Sequence, residues 1–101
     1  MYNEAIFVWD EGKRVANISK HGIDFADVRE MFAGPMLVSS DTRKEYGEAR
    51  QIGFGFVYGR LLVVVFTERE PGAIRIISAR KANRREKVYF EETLADQLGK
   101  N

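Results

Sequence analysis

The residues of this sequence that could do chemistry are concentrated between Arg75 and Glu86. This segment reads RIISARKANRRE, and its cationic side chains are Arg75, Arg80, Lys81, Arg84 and Arg85. Alternating isoleucines begin the segment and an Asn83-x-x-Glu86 pair ends it, so we expect the charges on a strand end and a helix start. The planar guanidinium group contacts two phosphate oxygens at once and stays charged. The segment therefore predicts a surface that handles RNA.

Arg80 is the strongest single candidate in this cluster. It lies where the predicted strand ends and a helix begins, and a helix N-terminus favours bound anions. Together with Arg75 and Arg84, it could clamp an RNA backbone or stabilise a pentacoordinate phosphorane. These roles require the guanidinium groups to converge on one concavity beside the sheet. The alternative is a solvated strand edge and helix face, since basic clusters are common on surfaces.

Three further side chains could transfer protons or contact bases. His21 is the single histidine, the residue type that exchanges protons near neutrality, although its place before Gly22 also suits a helix C-terminus. Glu68 follows a Val-rich run and could be a general base, or a solvated turn carboxylate. Tyr89 could stack on a base or donate a proton, although packing of the last helix competes with that role.

Length and composition exclude several classes of function. A chain of 101 residues with 45% apolar residues supports one domain, residues 1–101, with one core. It has no cysteine and one histidine, so we expect no disulfide, no metal site and no cofactor. The longest apolar run, Leu61–Phe66, is too short to span a bilayer and no leader is visible, so we expect a cytoplasmic protein without membrane contact.

Charge is unevenly distributed along the chain. The net charge is +1, but residues 69–87 carry seven basic and two acidic side chains. A basic region on an otherwise acidic body favours binding of a selected anion over diffuse adhesion to DNA. An acidic protein partner could also cover this region.

Hydrophobic periodicity and turn residues predict an α+β fold. The predicted strands are Ile6–Trp9, Met36–Ser39, Gln51–Tyr58, Leu61–Thr67 and Ala73–Ala79. The predicted helices run from the N-cap Asp10 to about His21, from Asp24 or Phe25 to about Ala33, and from Asn83 to about Leu98. The Val-rich run is typical of a central strand buried on both faces. The order β-α-α-β-β-β-β-α indicates an antiparallel meander with two N-terminal helices and a C-terminal helix against one face.

Several motifs in a fixed order give the chain a resemblance to a known family. They are W-D-x-x-K-x-x-x-N-x-x-K-H-G from Trp9 to Gly22, Asp41 with Glu48-x-Arg50, the strand end T-E-R from Thr67 to Arg69, and I-S-A-R-K-A-x-x-x-E from Ile77 to Glu86. In these motifs the sequence resembles the BrnT-type toxins of bacterial toxin–antitoxin systems, over almost its whole length.

The resemblance implies a RelE-like fold and a ribonuclease that cleaves RNA without a metal ion and inhibits translation. It also implies a BrnA-type ribbon-helix-helix antitoxin, and operator DNA would be bound only through that antitoxin. On this sequence Arg80 and Arg84 would stabilise the phosphate, and Glu68 or His21 would transfer protons. The side chains expected to place the RNA are Lys20, Arg50, Arg69, Arg75, Lys81 and Tyr89.

Two other classes of function stay open from the sequence. The same basic junction could serve a non-catalytic module that binds RNA or the antitoxin without cutting a bond. A DNA-binding regulator acting alone is less consistent with the sequence, because no predicted helix has the basic face that enters a DNA groove after a short turn.

Overall fold

The helices and strands follow the order that the sequence predicts. The computed structural model describes residues 5–43, 45 and 47–99. The strands are β1 (Ile6–Val8), β2 (Met36–Ser40), β3 (Gln51–Val57), β4 (Arg60–Glu70) and β5 (Ala73–Lys81). The helices are α1 (Glu11–His21), α2 (Phe25–Val28), which continues as a 3₁₀ helix over Arg29–Ala33, and α3 (Arg84–Leu98). No helix within these described residues has the length and apolar character needed to cross a membrane.

The helix boundaries come from capping residues that the sequence identifies. The Asp10 side chain accepts a hydrogen bond from the Lys13 backbone N–H at 2.9 Å, which starts α1. Gly22 ends this helix in the left-handed conformation, with φ 71°. Asn83 and Glu86 form the predicted capping box at the start of α3, in which each side chain accepts from the backbone N–H of the other.

The five strands form one sheet in the order β1-β5-β4-β3-β2. Strands β2 to β5 are antiparallel neighbours, as predicted. β1 differs from the predicted meander, because it pairs in parallel with β5 at the sheet edge, with Ile6 opposite Ala73. The segment that contains α1 and α2 carries the chain from this edge to the opposite edge at β2, and this crossover leaves β1 beside the last strand.

Helices pack on both faces of the sheet, so the prediction that they share one face is wrong. Alternate residues of β4 point to opposite sides: Leu62 and Phe66 join the core under α2, whereas Leu61 and Val63 join the core with Phe90 of α3. We call these sides the α2 face and the α3 face. Residues 61–67 are all buried, which confirms the central strand. Such a continuous apolar run requires cover on both faces but does not specify which helix supplies it.

A β-bulge in β5 sets which side chains reach the α3 face. Ile77 is an extra residue of β5 at a register shift of the ladder with β4. Ile76 before the bulge and Ala79 after it both point into the core of the α2 face. Without the extra residue, Arg80 would share the face of Ile76. The bulge therefore turns Ser78 and Arg80 toward the α3 face.

Asn17 is buried and joins α1 to the part of the β5 edge that β1 leaves open. β1 pairs with β5 only as far as Arg75, so no strand among the described residues pairs with Ala79 on that side. The Asn17 side chain takes the place of a strand: Oδ1 accepts from the Ala79 N–H at 3.1 Å, and Nδ2 donates to the Ala79 carbonyl at 2.9 Å. Nδ2 also donates to the Ile23 carbonyl at 2.9 Å. These bonds fix α1 beside β5.

Replacing Asn17 with alanine should destabilise the protein, because it leaves the Ala79 and Ile23 backbone groups without their partner. We expect the free energy of unfolding to fall by about 2–4 kcal/mol, since each buried polar group left unpaired costs about 1–3 kcal/mol. Urea denaturation followed by circular dichroism measures the change. Ser19→Ala, an exposed substitution on the same helix, is the control, and a loss no larger than that of the control would contradict the role of Asn17.

Candidate functional site

A cleft of about 390 Å³ opens on the α3 face, between the sheet and the start of α3. Its floor consists of side chains of β3, β4 and β5, namely Ile52, Phe54, Val63, Val65 and Ser78. Its walls are formed by Arg80, Glu86 and Tyr89 on one side and by Ser39 and Arg43 on the β2 side. The cleft thus has a mainly apolar floor and charged walls.

Arg80 is held in its wall by a bidentate ion pair with Glu86. Nη1 donates to Oε1 and Nη2 donates to Oε2, both at 2.8 Å, and Nη1 also donates to the Lys81 carbonyl at 3.3 Å. These bonds use the terminal edge of the guanidinium group. Within the described part of the chain, no acceptor contacts Nε–H or the second hydrogen of Nη2. Those two N–H groups lie along one edge, so Arg80 can still bind two oxygens of a phosphate side by side.

The first turn of α3 fixes the position of Glu86. Its Oε1 accepts from the Asn83 backbone N–H at 2.9 Å, and the Asn83 side chain accepts from the Glu86 N–H at 2.8 Å. The hydrogen bonds from Arg80, and to a smaller extent the bond from Asn83, lower the pKa of Glu86 below its ordinary value of 4.5. The same pair raises the pKa of Arg80. Glu86 is therefore an ionised group that positions Arg80.

Arg43 forms the opposite wall and is anchored to a buried carboxylate. Its Nε and Nη2 donate to Oδ1 and Oδ2 of Asp41, each at 2.8 Å, and the Asp41 side chain is 0% exposed. The Asp41 backbone N–H donates to the Arg50 carbonyl at 2.8 Å, which ties this segment to the residue before β3. The pKa of Arg80, raised mainly by Glu86, is lowered in part by the charge of Arg43. Two guanidinium groups thus act on the same space, and an anion between them would relieve their repulsion.

Tyr89 adds an exposed aromatic ring to the cleft. Its centroid lies 5.7 Å from that of Phe54, at an interplanar angle of 54°, and 51% of its surface is exposed. Such a ring can stack on a nucleobase, and its hydroxyl can donate a hydrogen bond. The hydroxyls of Ser39 and Ser78 add two further polar groups to the lining. Oriented cations beside a stacking surface are the groups that bind single-stranded RNA.

The cleft brings together two of the residues predicted from the sequence, Arg80 and Tyr89. Lys81 lines a separate groove of about 320 Å³ between α3 and the β3–β4 hairpin. Arg84 is exposed on the first turn of α3, and Arg75 lies further back on β5, outside the lining of the cleft. Of the arginines predicted to converge on one concavity, Arg80 lines the cleft. Arg75 and Arg84 do not line it.

The residues predicted for proton transfer lie outside the cleft. His21, the last residue of α1, lines a separate depression beside β5 together with Lys20. Glu68 is exposed near the end of β4, where its Oε2 accepts from the Gly72 backbone N–H at 3.0 Å and stabilises the β4–β5 turn. The functional roles of His21, Lys20 and Glu68 stay predictions.

Arg50 and Arg69 meet at a shared carboxylate outside the cleft. Arg50 Nε lies 3.2 Å from Glu48 Oε2, and Arg69 Nη2 lies 3.5 Å from Glu48 Oε1. The hydrogen bond from Arg50, followed by the charges of both arginines, lowers the pKa of Glu48. This cluster ties the connection before β3 to the end of β4. Any contact of these arginines with RNA would lie beyond the cleft.

The sequence does not indicate a functional role for Arg43, Ser39 or Ser78, and it predicts Glu86 only as a helix cap. The ion pair of Glu86 with Arg80 is predictable in principle, because a carboxylate in the first turn of a helix can reach back to an arginine at the end of the preceding strand. No feature of the sequence around Arg43 indicates that this residue lines the cleft. Its place in the cleft depends on how the connection after β2 folds over the sheet.

Two comparisons with known proteins bear on the function of this cleft. The family model described as "Ribonuclease toxin, BrnT, of type II toxin-antitoxin system" matches residues 9–86. Among solved structures, the chain is similar to the 1.1 Å crystal structure of the Brucella abortus ribonuclease toxin, BrnT. The identity is 32% and the TM-score 0.60, with 77% of this chain and 96% of that chain covered. No curated protein matches the sequence.

Fold and family match together define a ribonuclease toxin of a type II toxin–antitoxin system, and the chain belongs to the BrnT family. Its α+β fold, with a five-stranded and mostly antiparallel sheet, matches that of the Brucella protein. Membership in this class implies a protein antitoxin as partner. The matched segment contains the lining of the cleft from Ser39 to Glu86 and ends before Tyr89, which completes one wall.

Replacing Glu86 with glutamine tests the ion pair that positions Arg80. Glutamine keeps the shape of the side chain but removes its charge, so the free energy of unfolding at neutral pH should fall by about 1–2 kcal/mol. Because the pKa of Glu86 is lowered in the folded state, its contribution is present above the ordinary value of 4.5 and is lost as the pH falls through the folded value. The difference between parent and variant should therefore shrink in acid.

Urea denaturation at a series of pH values between about 7 and about 3 measures this difference. Glu92→Gln removes an exposed carboxylate from the same helix and is the matched control. A difference between parent and Glu86→Gln that does not change over this range would show that the charge of Glu86 does not stabilise the fold.

Proposed function

We propose that this chain is an endoribonuclease toxin that cleaves RNA in the cleft without a metal ion and so inhibits translation. The observation that carries the proposal is the geometry of Arg80, which Glu86 holds by one edge while the other edge has no acceptor among the described residues. Such an oriented pair of donors fits two nonbridging oxygens of one phosphate. The ribonuclease description of the family supports RNA as the substrate.

In the proposed reaction, the 2′-hydroxyl of the RNA attacks the adjacent phosphorus. The bond between phosphorus and the 5′-oxygen breaks, which leaves a 2′,3′-cyclic phosphate and a 5′-hydroxyl. Negative charge grows on the nonbridging oxygens in the pentacoordinate state, where the N–H groups of Arg80 stabilise it most. Arg43 adds a second positive charge across the cleft, and Tyr89 stacks on a base beside the scissile bond.

Two protons move in this reaction, one from the 2′-hydroxyl and one to the 5′-oxygen. Glu86 is poorly suited to accept the first, because both of its oxygens accept from Arg80 and its pKa is lowered. We assign proton donation to the 5′-oxygen to the Tyr89 hydroxyl. Glu68 or His21 could still accept the first proton, but only if bound RNA brings the scissile bond within reach of them.

The chemistry of the residues near the cleft supports a reaction without a metal ion. The chain has no cysteine and one histidine. Within residues 5–43, 45 and 47–99, no group of three or more His, Cys, Asp or Glu side chains could hold a metal ion. Glu86 and Asp41 are each bound by an arginine. In the proposed reaction, guanidinium groups supply the positive charge that a metal ion supplies in other nucleases.

The partner that we propose for this toxin is a BrnA-type ribbon-helix-helix antitoxin. The family implies a protein antitoxin, and the resemblance of the sequence motifs favours the BrnA type and a RelE-like relationship. The antitoxin binds operator DNA in this scheme, and the toxin reaches DNA only through it. A short ribbon-helix-helix reading frame next to the gene supports the scheme if its product restores growth when co-expressed.

A non-catalytic module that binds RNA or the antitoxin is the second candidate. The observation that favours it is the composition of the cleft, because its described lining has no histidine and its one carboxylate is paired with Arg80. No strong general base therefore lies in the described lining of the cleft. Such a module would bind RNA in the same cleft without forming products.

Replacing Arg80 with lysine should keep the charge but remove the paired N–H groups. We expect RNA cleavage to fall about 100-fold or more, because removal of one oriented donor from developing negative charge has effects of this size. Gel analysis of a labelled RNA measures cleavage, and growth after induced expression measures toxicity. Arg80→Ala should abolish growth arrest at equal soluble expression. Arg29→Lys, on the exposed surface of the 3₁₀ helix, is the control and should cleave normally.

The same assay distinguishes the candidates when it is run with and without EDTA. Cleavage by the parent chain that persists in EDTA supports the metal-independent reaction, whereas cleavage restored only by added Mg²⁺ overturns it. RNA binding by the parent chain without cleavage favours the binding module. Normal cleavage by Arg80→Lys would remove Arg80 from the active site.

A further inference from the structure

The depression beside α1 is a second concavity, separate from the cleft in which we propose that RNA is cleaved. It has a volume of about 290 Å³. One side is formed by α1, with Lys13, Lys20 and His21, and the other by Ile77 and Ser78 at the bulge of β5. It lies next to the cleft. Its described lining contains two lysines and no carboxylate, whereas the cleft contains Arg80 paired with Glu86.

The lysines of this depression are uncompensated, in contrast to the arginine that follows Lys13 on α1. Arg14 Nη2 lies 2.6 Å from Glu11, and Arg14 Nη1 lies 3.0 Å from Asp24. Lys13 and Lys20 are exposed and make no ion pair within the described part of the chain. They are seven residues apart, so they lie on the same side of the helix about 10 Å apart along its axis. This side of α1 can therefore contact more than one phosphate of an extended strand.

Ser78 connects the depression to the cleft, because it lines both. The pairing of β1 with β5 ends where Val8 meets Arg75, and no other described strand covers the outer edge of β5 beyond that point. Asn17 satisfies the backbone of this edge with a short side chain and adds no strand above it. An RNA strand in the cleft can therefore continue over β5 toward α1.

We propose that this depression is a second phosphate-binding subsite for the RNA, and this inference rests on the proposed ribonuclease function. Lys13 and Lys20 bind phosphates of nucleotides next to the one whose bond is cut, and His21 and Ser78 offer hydrogen bonds to the strand between the two sites. The substrate is then a single-stranded RNA of several nucleotides rather than a dinucleotide. An acidic segment of a protein partner is the competing occupant, but the continuity with the cleft favours RNA.

Binding of RNAs of two lengths tests the subsite. The probes are fluorescent RNAs of three and nine nucleotides that carry 2′-O-methyl groups throughout, so that no 2′-hydroxyl can attack. Anisotropy at several salt concentrations gives the affinity of the parent chain and of the double variant Lys13→Ala/Lys20→Ala. The double variant Arg29→Ala/Arg60→Ala removes two exposed positive charges elsewhere and is the matched control. Lys13→Gln/Lys20→Gln replaces the first variant if circular dichroism shows that the alanine protein is unfolded.

We expect Lys13→Ala/Lys20→Ala to weaken binding of the nine-nucleotide RNA about tenfold at low salt, with a much smaller effect on the three-nucleotide RNA. The slope of log affinity against log salt should become shallower by about 1.4, since each phosphate contact to a single strand contributes about 0.7. An unchanged slope, or an equal loss in the control variant, would overturn the subsite. Loss of antitoxin binding with unchanged RNA affinity would assign the depression to the protein partner instead.

Different results would contradict the ribonuclease function and the second phosphate-binding subsite. If the proposed ribonuclease function is wrong, the parent chain does not cleave RNA, even where it binds the nine-nucleotide RNA more tightly than the three-nucleotide RNA. If only the second subsite is wrong, Arg80→Lys still reduces cleavage, while Lys13→Ala/Lys20→Ala binds both RNAs as the parent chain does.

Discussion

The ion pair between Arg80 and Glu86 is the interaction on which the cleft depends, because it joins the end of β5 to the first turn of α3. Two local features bring the partners together. The bulge at Ile77 turns Arg80 to the α3 face, and the capping box with Asn83 fixes the carboxylate. Without the bulge, the guanidinium group would point toward the apolar core of the α2 face, where an unpaired charge would cost several kcal/mol. The bulge is thus a condition for stability as well as for the site.

The parts of the fold that could be predicted from the sequence are those with a local physical cause. Asp10 and Asn83 begin helices because their side chains accept hydrogen bonds from backbone N–H groups of the first turn. Gly22 ends α1 because glycine adopts the left-handed conformation without strain. The run Leu61–Thr67 indicates a central strand because a continuous apolar run needs cover on both faces, and all of its residues are buried in the structure. The parallel pairing of β1 and the division of the helices between two faces have no such local cause. Both features depend on the path of the whole chain across the sheet. The alternation of apolar and polar residues does not predict that path.

The candidate site shows the same limit residue by residue. Arg80 is a candidate because it lies at a predicted strand end. Simple alternation from Ile76 would place its side chain in the core of the α2 face, and the bulge at Ile77 turns it to the α3 face. His21 is a candidate because of its residue type and Glu68 because it follows the Val-rich strand, and both lie outside the cleft in the folded chain. The sequence does not indicate Arg43 as a site residue, because a buried carboxylate distant from the basic segment positions it. Residue type and spacing identify what a side chain can do, whereas its neighbours depend on tertiary structure.

The pairing of charges also separates two tasks that an RNA-cleaving protein has to perform. Glu86 and Asp41 neutralise the two arginines of the cleft, so these arginines add little net charge but present N–H groups in fixed directions. Long-range attraction of RNA scales with uncompensated charge, whereas stabilisation of a pentacoordinate phosphate depends on orientation. Lys13, Lys20, Arg84 and Arg85 make no ion pair in the described part of the chain, and they lie on the exposed surface outside the cleft. In the proposed ribonuclease, attraction of RNA would therefore come from the surrounding surface and stabilisation of the transition state from the cleft, which explains how a chain with a net charge of only +1 can handle a polyanion.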